Sequence, residues 1–371
     1  VNIAVLGGGP GASATAADLA LAGHRVRLWR RREADFAPIR QAGGITLVED
    51  ERRATAPLDR LTADLADAVA GAEVVIISIP AAAHPEVAGR LSTALEAEQI
   101  VLLTAGLLGS YVIARDIARA RGRIPFALAE TGTVPCRARW TGPAEVAVSA
   151  RAVNLSVGVF PAAHTAETLE RLRPLVPALH PCRDALDVAL TNPGPAIHPP
   201  LVLLNAAAIE AGGPDTVATG MTPGVRRLIE AVDGERVAIR AGLGYPAPHY
   251  ALSQPGDDAR ASEVLDGARA GWASLLAGGP FDETVTFEHR SVTEDAALGL
   301  SLFESAGRLA GADTPVIGGL LSVFQALLGR DLRATGRGLD RLGLGDFVRR
   351  EIRDLLHEGW RSPLWRRALS G

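Results

Sequence analysis

The chain has 371 residues, 47% of them hydrophobic and 22% charged, which is enough apolar material for two domains of ordinary size. Its formal net charge of -4 gives no electrostatic reason to expect nucleic acid or an anionic membrane as a partner. Two cysteines, Cys136 and Cys182, exclude a disulfide framework and a four-cysteine metal site, and they read as buried thiols of a cytoplasmic protein.

In chain order, short β-rich runs alternate with Ala/Leu-rich stretches of helical spacing. Strands are expected at Asn2–Leu6, Arg25–Trp29, Glu73–Ile79, Ile100–Thr104 and Phe126–Leu128, with helices such as Ser13–Ala22 and Pro85–Leu95 between them. Runs apolar on both faces, like Val74-Val75-Ile76-Ile77, fit a parallel sheet covered by helices on each side. The segment Glu145–Phe160 reads as further strands closing this domain.

Near Asp184–Asn192 the character changes. Helices are expected over Leu201–Ala211, Gly224–Ala241, Ala261–Leu276, Asp295–Ala310, Pro315–Leu328 and Leu344–His357, with Gly and Pro at nearly every junction. The expected fold class is therefore an α/β Rossmann domain with a doubly wound parallel sheet over residues 1–188, then an all-helical substrate domain over 189–371. The active site is expected in the cleft between them. The first strand starts at the first residues, so no targeting segment is expected. The apolar stretch Pro315–Leu328 carries Gln325 and is too short for a bilayer, which suggests a core helix or the interface of a homodimer.

Gly7-Gly8-Gly9-Pro10-Gly11-Ala12 follows the first strand and opens a helix. It matches G-x-G-x-x-[GA]: Gly7 for the tight turn, Gly9 for backbone approach to a pyrophosphate, and small Ala12 for close helix–strand packing. The helix N-terminus then offers free N–H groups and a positive partial charge to phosphates. At the end of the second strand an acid normally grips the ribose 2′-OH of NAD. Here Arg30, Arg31 and Arg32 stand there, and the first acid is Glu33. Guanidinium groups suit a 2′-phosphate, so Arg30 and Arg31 favour NADP over NAD as cofactor; a solvated charge run at a strand end is the plainer reading. Pro80 and Thr131 lie beyond later strands on the same side of the sheet, as cofactor contacts or as ordinary loop residues. His84 reads as a helix-start histidine without a catalytic task.

The stretch Asn192-Pro193-Gly194-Pro195-Ala196-Ile197-His198-Pro199-Pro200 sits at the inferred junction. Two prolines after His198 place it near the N-terminus of a helix they would start, where the dipole disfavours an imidazolium. A general acid there needs a carboxylate beside it, and Arg290-Ser291-Val292-Thr293-Glu294-Asp295 offers two. On spacing alone, Glu294 and Asp295 are equally first-turn acids after a Thr293 cap, and His198 is equally a packing residue.

These residues resemble the octopine/nopaline-type opine dehydrogenases, including bacterial N-(carboxyalkyl)amino-acid dehydrogenases. The likeness is carried by Leu190-Thr191-Asn192 running to His198-Pro199-Pro200 and Leu204-Asn205, and by Met221-Thr222-Pro223 followed by Val232-Asp233-Gly234-Glu235-Arg236. Arg290-x-x-Thr293-Glu294-Asp295 with Gly299-Leu300, Thr314-Pro315, and Gly336-Arg337-x-Leu339-x-Arg341-Leu342-Gly343-Leu344 complete it. The resemblance implies reduction, with NADH or NADPH, of the imine formed between a 2-keto acid and the amine of an amino acid. It makes His198 the acid/base, Asp295 its orienting partner and Arg290 an anion-binding or supporting residue, with Asn205 as a polar support or a capping amide. Two features depart from the pattern: Arg30 replaces an acid, and Tyr245–Phe287 matches weakly around a Gly/Pro/Asp-rich insert at Gln254–Asp258. The small-molecule partner amine is therefore not inherited.

Competing readings are an imine or 2-keto acid reductase on the same scaffold and an NADP-sensing regulatory protein. Ketopantoate reductase-like proteins of similar architecture use a catalytic lysine, and all 38 of the Lys and Arg residues in this chain are arginine. A sensor has no need of a His/Asp/Arg set.

Overall fold

The computed structural model describes residues 1–212, 220–249, 251–252 and 285–371. The expected helix Ala261–Leu276 and the insert Gln254–Asp258 lie outside the described residues. Contacts divide the chain into two compact units: Val1–Ala189 with Leu356–Gly359, and Leu190–Leu355 with Trp360–Gly371.

The first unit runs β1 (Asn2–Leu6), α1 (Pro10–Leu21), β2 (Arg25–Trp29), α2 (Ala37–Gln41), β3 (Ile45–Glu49), β4 (Arg52–Ala56), β5 (Arg60–Thr62), α3 (Leu65–Val69), β6 (Val74–Ile77), α4 (His84–Leu91), β7 (Ile100–Leu103), α5 (Gly109–Arg119), β8 (Ala127–Thr131), β9 (Cys136–Gly142), β10 (Glu145–Arg151), β11 (Leu155–Phe160), α6 (Thr165–Leu172), β12 (Leu179–Pro181) and α7 (Ala185–Ala189). Eight strands form one sheet in the order β12-β11-β8-β7-β6-β1-β2-β5. Strands β8 to β5 along that order are mutually parallel, and β11 joins antiparallel to β8. The crossover from β2 back to β6 on the other side of β1 makes this a doubly wound sheet, and it places the β1–α1 loop at the reversal point.

A second sheet of four strands, β4-β3-β10-β9, was not expected as such. It packs on α1, so that helix is covered by β1 and β2 on one side and by the second sheet on the other. This accounts for the composition of α1: Ala12, Ser13, Ala14, Ala16, Ala17 and Leu19 are all buried, as a helix enclosed on two sides requires. Arg151, at the end of β10, pins the arrangement by bonding Asp18 of α1 at 2.7 Å and Glu49 of β3 at 2.6 Å. The ion pair holds the Glu49 carboxyl below its ordinary range.

Among the described residues, every regular element of the second unit is helical: α8 (Gly194–Leu204), then helices over Ala206–Glu210, Pro223–Gly242, Ser291–Leu300, Ser301–Ala310, Pro315–Leu328, Leu332–Thr335, most of Arg349–Glu358, and Trp365–Ser370. Three polar devices organise it. The Glu235 carboxylate accepts the N–H groups of Val316 (2.7 Å) and Ile317 (2.9 Å), capping the helix that begins at Pro315. Arg349 donates to the carbonyls of Leu309 (2.7 Å) and Gly242 (2.9 Å), at the ends of two other helices. Arg236, fully buried, binds Asp233 at 2.7 Å and donates to the Leu190 carbonyl at 2.8 Å, while Asp233 accepts the Leu252 N–H at 2.6 Å. Burial pushes the Arg236 guanidinium below its ordinary value against the opposing pull of Asp233. Helix Pro315–Leu328 buries Ile317, Leu320, Leu321 and Phe324 as a core helix does. Among the described residues no helix is long and apolar enough to cross a membrane.

Breaking a buried ion pair strands the remaining charge, which costs about 3–5 kcal/mol. Arg236→Ala should lower the unfolding free energy by that much in denaturant titrations, whereas Arg350→Ala, at an exposed ion pair, should change it by less than about 0.5 kcal/mol.

Candidate active site

The glycine-rich loop has the geometry that a dinucleotide requires. Gly7 has its N–H on the Trp29 carbonyl (3.1 Å), and a side chain there would overlap the Ser78 carbonyl and stand 2.7 Å from the Ala12 Cβ. Gly7 and Ala12 thus let β1, α1 and the end of β6 close together. At Gly9 a Cβ would meet nothing within 4 Å, and at Gly11 only the Ser78 Oγ at 3.8 Å. Pro10 is the first helical residue, so the N–H groups of Gly11 and Ala12 are first-turn donors without an intrahelical acceptor. The loop fits a pyrophosphate.

The three arginines after β2 differ. Arg30 is 6% exposed. It donates to the Ser13 Oγ and to the Asp35 carbonyl, both at 3.0 Å, and its guanidinium lies 5.3 Å from the Trp140 ring and 5.8 Å from that of Phe36. Burial pushes its pKa below the ordinary value, with Asp35 opposing. Arg32 is paired with Asp35 at 3.0 Å, and Glu33 with Arg40. Arg31 is exposed and has no ionic or hydrogen-bonding partner among the described residues.

The other loop residues part company. Pro80 is exposed after β6. Thr131 is buried and engaged: its Oγ1 accepts the Ala105 N–H at 3.0 Å and donates to the Thr133 carbonyl at 2.7 Å. His84 is buried against Gly109, consistent with a packing role. Glu130, overlooked in the sequence, is fully buried and accepts the N–H groups of Leu108 (2.7 Å) and Ser110 (2.6 Å) at the start of α5. It braces a loop in which Ala105, Leu107 and Leu108 all have left-handed φ values of 50–64°. An acid just before a strand-ending Thr was the available signal.

The second unit brings His198 and Asp295 together: His198 Nδ1 lies 2.6 Å from Asp295 Oδ2, across 97 residues of sequence. Helix α8 starts at Gly194, so His198 sits a full turn inside it and Pro199 and Pro200 are interior residues. The expected helix start after His198 is corrected accordingly. What begins the helix is Asn192, whose Oδ1 accepts the Gly194 N–H at 2.8 Å, and Pro195, which needs no acceptor. Asp295 comes from the helix Ser291–Leu300, which is π-helical and begins before Thr293; Thr293 donates to the His289 carbonyl (3.3 Å) and is not its N-cap. In an α-helix Arg290 and Asp295 would point about 140° apart. Here Arg290 is the N-cap of a π-helix, to which that α-helical spacing does not apply. Arg290 is exposed and without a partner among the described residues, and Glu294 is half-buried.

Asn205 is the C-cap of α8, donating to the Leu201 carbonyl at 2.7 Å and to that of Gly220 at 3.3 Å. Its amide is committed to backbone, so its position is explained by capping.

A phosphate loop at the switch point of a doubly wound sheet, with a His–Asp pair in a helical unit, defines a nicotinamide-dependent oxidoreductase. Residues 2–111 match the model of the NAD-dependent glycerol-3-phosphate dehydrogenase N-terminus, and residues 181–328 that of the NAD/NADP octopine/nopaline dehydrogenase alpha-helical domain. An opine dehydrogenase of Arthrobacter sp. (strain 1C) is 32% identical over 355 residues, covering 94% of this chain and 97% of that one. The chain belongs to the opine dehydrogenase family. Solved structures share the fold: octopine dehydrogenase with NADH and pyruvate (TM-score 0.66, 18% identity, 92% of this chain and 95% of that one) and yersinopine dehydrogenase with NADP+ bound (TM-score 0.62, 16% identity, 97% and 99%).

Gly194 decides whether the dyad forms, because a Cβ there would stand 2.6 Å from Asp295 Oδ1 and 3.2 Å from its Cγ. Gly194→Ala should displace the carboxylate from His198 and lower kcat by about tenfold to a hundredfold. Circular dichroism should stay that of the wild type, and the KM for the nicotinamide cofactor should stay within about twofold.

Proposed function

We propose that the protein reductively condenses a 2-keto acid with the amine of an amino acid, and that His198 is its acid/base. The observation that carries this reading is the 2.6 Å contact between His198 Nδ1 and Asp295 Oδ2. A carboxylate on Nδ1 fixes the ring orientation and supports the imidazolium, so proton transfer to substrate falls to Nε2. From there the ring can protonate the carbinolamine oxygen as water departs and the imine nitrogen as it becomes an amine. Arg290 stands five residues before Asp295, and its exposed guanidinium suits a keto acid's carboxylate. When bound, NAD(P)H supplies the two electrons and the hydrogen that the imine carbon accepts. NADPH is the favoured form, since no acid precedes Glu33 after β2, Glu33 is itself paired with Arg40, and Arg31 is exposed beside it.

Two experiments test the reading. His198→Ala and Asp295→Ala should each lower kcat by about a hundredfold or more, and the double variant should cost little beyond the worse single one, because the pair acts as a unit. Independent, multiplicative losses would mean that the contact is catalytically idle. Mass spectrometry of incubations with NADPH, pyruvate or glyoxylate and a panel of amino acids should find a secondary amine only when both carbon substrates are present. A 2-hydroxy acid formed equally fast without amine would show a keto-acid reductase, and turnover of a cyclic imine alone an imine reductase.

A further inference from the structure

A guanidinium carries only hydrogen-bond donors. Arg30 Nη2 lies 3.0 Å from Ser13 Oγ, so that hydroxyl is the acceptor there and its own hydrogen goes to its other neighbour, the Gly9 carbonyl, also at 3.0 Å. Gly9 O receives the Ser13 N–H as well, at 3.1 Å. Arg30 Nη1 is held by the Asp35 carbonyl, and its Cγ stands 4.0 Å from where a Gly8 side chain would begin. One buried side chain thus passes beneath Gly8 and reaches Gly9 through a single hydroxyl. Turning outward to meet a phosphate would break both Nη contacts and withdraw the charge from Trp140 and Phe36. Arg31, exposed and unpaired among the described residues, has no such ties.

We propose that Arg30 is a positioning residue of the dinucleotide loop, acting through Ser13 on the Gly9 carbonyl, and that discrimination for the cofactor's 2′-phosphate falls to Arg31. This rests on the reading of the loop as the NAD(P) site. Gly9 has the backbone freedom that lets a ligand approach closely, and the same freedom would leave the loop unset without a tether. With its carbonyl drawn into the first turn of α1, the donors of Gly11 and Ala12 are fixed before the pyrophosphate arrives, which saves ordering on binding.

The test is direct titration of NADPH and NADH by ligand fluorescence in the wild type, Ser13→Ala, Arg30→Met, Arg30→Lys and Arg31→Ser, with thermal melting of each. Loss of one hydrogen bond in the relay should weaken both cofactors alike, by about fivefold for Ser13→Ala and by more for Arg30→Met. Their NADPH/NADH affinity ratio should stay at the wild-type value, and the kinetic loss should appear in the cofactor KM more than in kcat. Arg30→Lys should recover part of the affinity. Arg31→Ser should weaken NADPH by about tenfold or more and leave NADH unchanged. If Arg30→Met does not fold, Ser13→Ala carries the test, since it removes only a hydroxyl. An altered affinity ratio in Arg30→Met, or wild-type affinities for both cofactors in Ser13→Ala, would overturn the proposal while leaving the loop's assignment intact. Failure of the wild type to bind either dinucleotide would overturn both.

Discussion

Two helices of the second unit can share a histidine–carboxylate contact because a glycine on each leaves room for a side chain of the other. Gly194 leaves room for the Asp295 carboxylate, and Gly299 leaves room for the Pro195 ring, whose Cβ would stand 2.7 Å from a Cβ at 299. Gly194 and His198 are four apart on α8, and Asp295 and Gly299 are four apart on the facing helix, so each pair lies along one helical face. The two pairs interlock as small against large in both directions. A slide of either helix along the other would carry Pro195 or Asp295 off its facing glycine and onto a neighbour that has a side chain. The distance between imidazole and carboxylate is therefore set by backbone packing and does not depend on side-chain chance.

Holding that register is the work of groups far from the histidine. Asp233 and Arg236 tie the long helix Pro223–Gly242 to the Leu190 carbonyl, just before the segment that opens α8. On the same helix Glu235 caps the start of Pro315–Leu328, and Arg349 collects the carbonyl ends of two neighbours. The stretch Val232-Asp233-Gly234-Glu235-Arg236 thus ties together separate segments of the second unit. Asp233, Glu235 and Arg236, within one helical turn, each find a partner on a different segment.

Much of this was legible from residue patterns. The apolar runs of β1, β2, β6 and β7, the glycine loop and the pairing of His198 with Asp295 all follow from short β-rich apolar runs, turn chemistry or family resemblance. The second sheet was not legible, and the reason lies in β4: Arg52, Arg53, Ala54 and Thr55 are all exposed, so the strand lacks the apolar alternation that marks one. Overlooking that sheet has a consequence for charge. Trp140 of β9 belongs to the layer that covers α1 and Arg30, so the fold buries an arginine that the residue pattern assigned to a 2′-phosphate or, more plainly, to a solvated charge run. The start of α8 was misplaced for a different reason. Prolines commonly begin helices, and Pro199-Pro200 looked like such a start; here their missing donors, about 3 kcal/mol each in an isolated helix, are outweighed by the burial of both rings.

The arginines also bear on the chemistry. Every basic side chain apart from histidine is arginine in this chain, and the buried ones serve as multi-point forks: Arg236 spans a carboxylate and two carbonyls, and Arg30 a hydroxyl and a carbonyl. An ammonium group could not meet those planar arrangements. With no lysine among these residues, no side-chain amine is available to form a Schiff base with a keto acid. Under the proposed reaction the imine nitrogen therefore comes from a substrate amine and not from a lysine of the protein. On that reading the carboxylate would fall to Arg290 and the proton to His198, whose ring is braced by Asp295 at 2.6 Å.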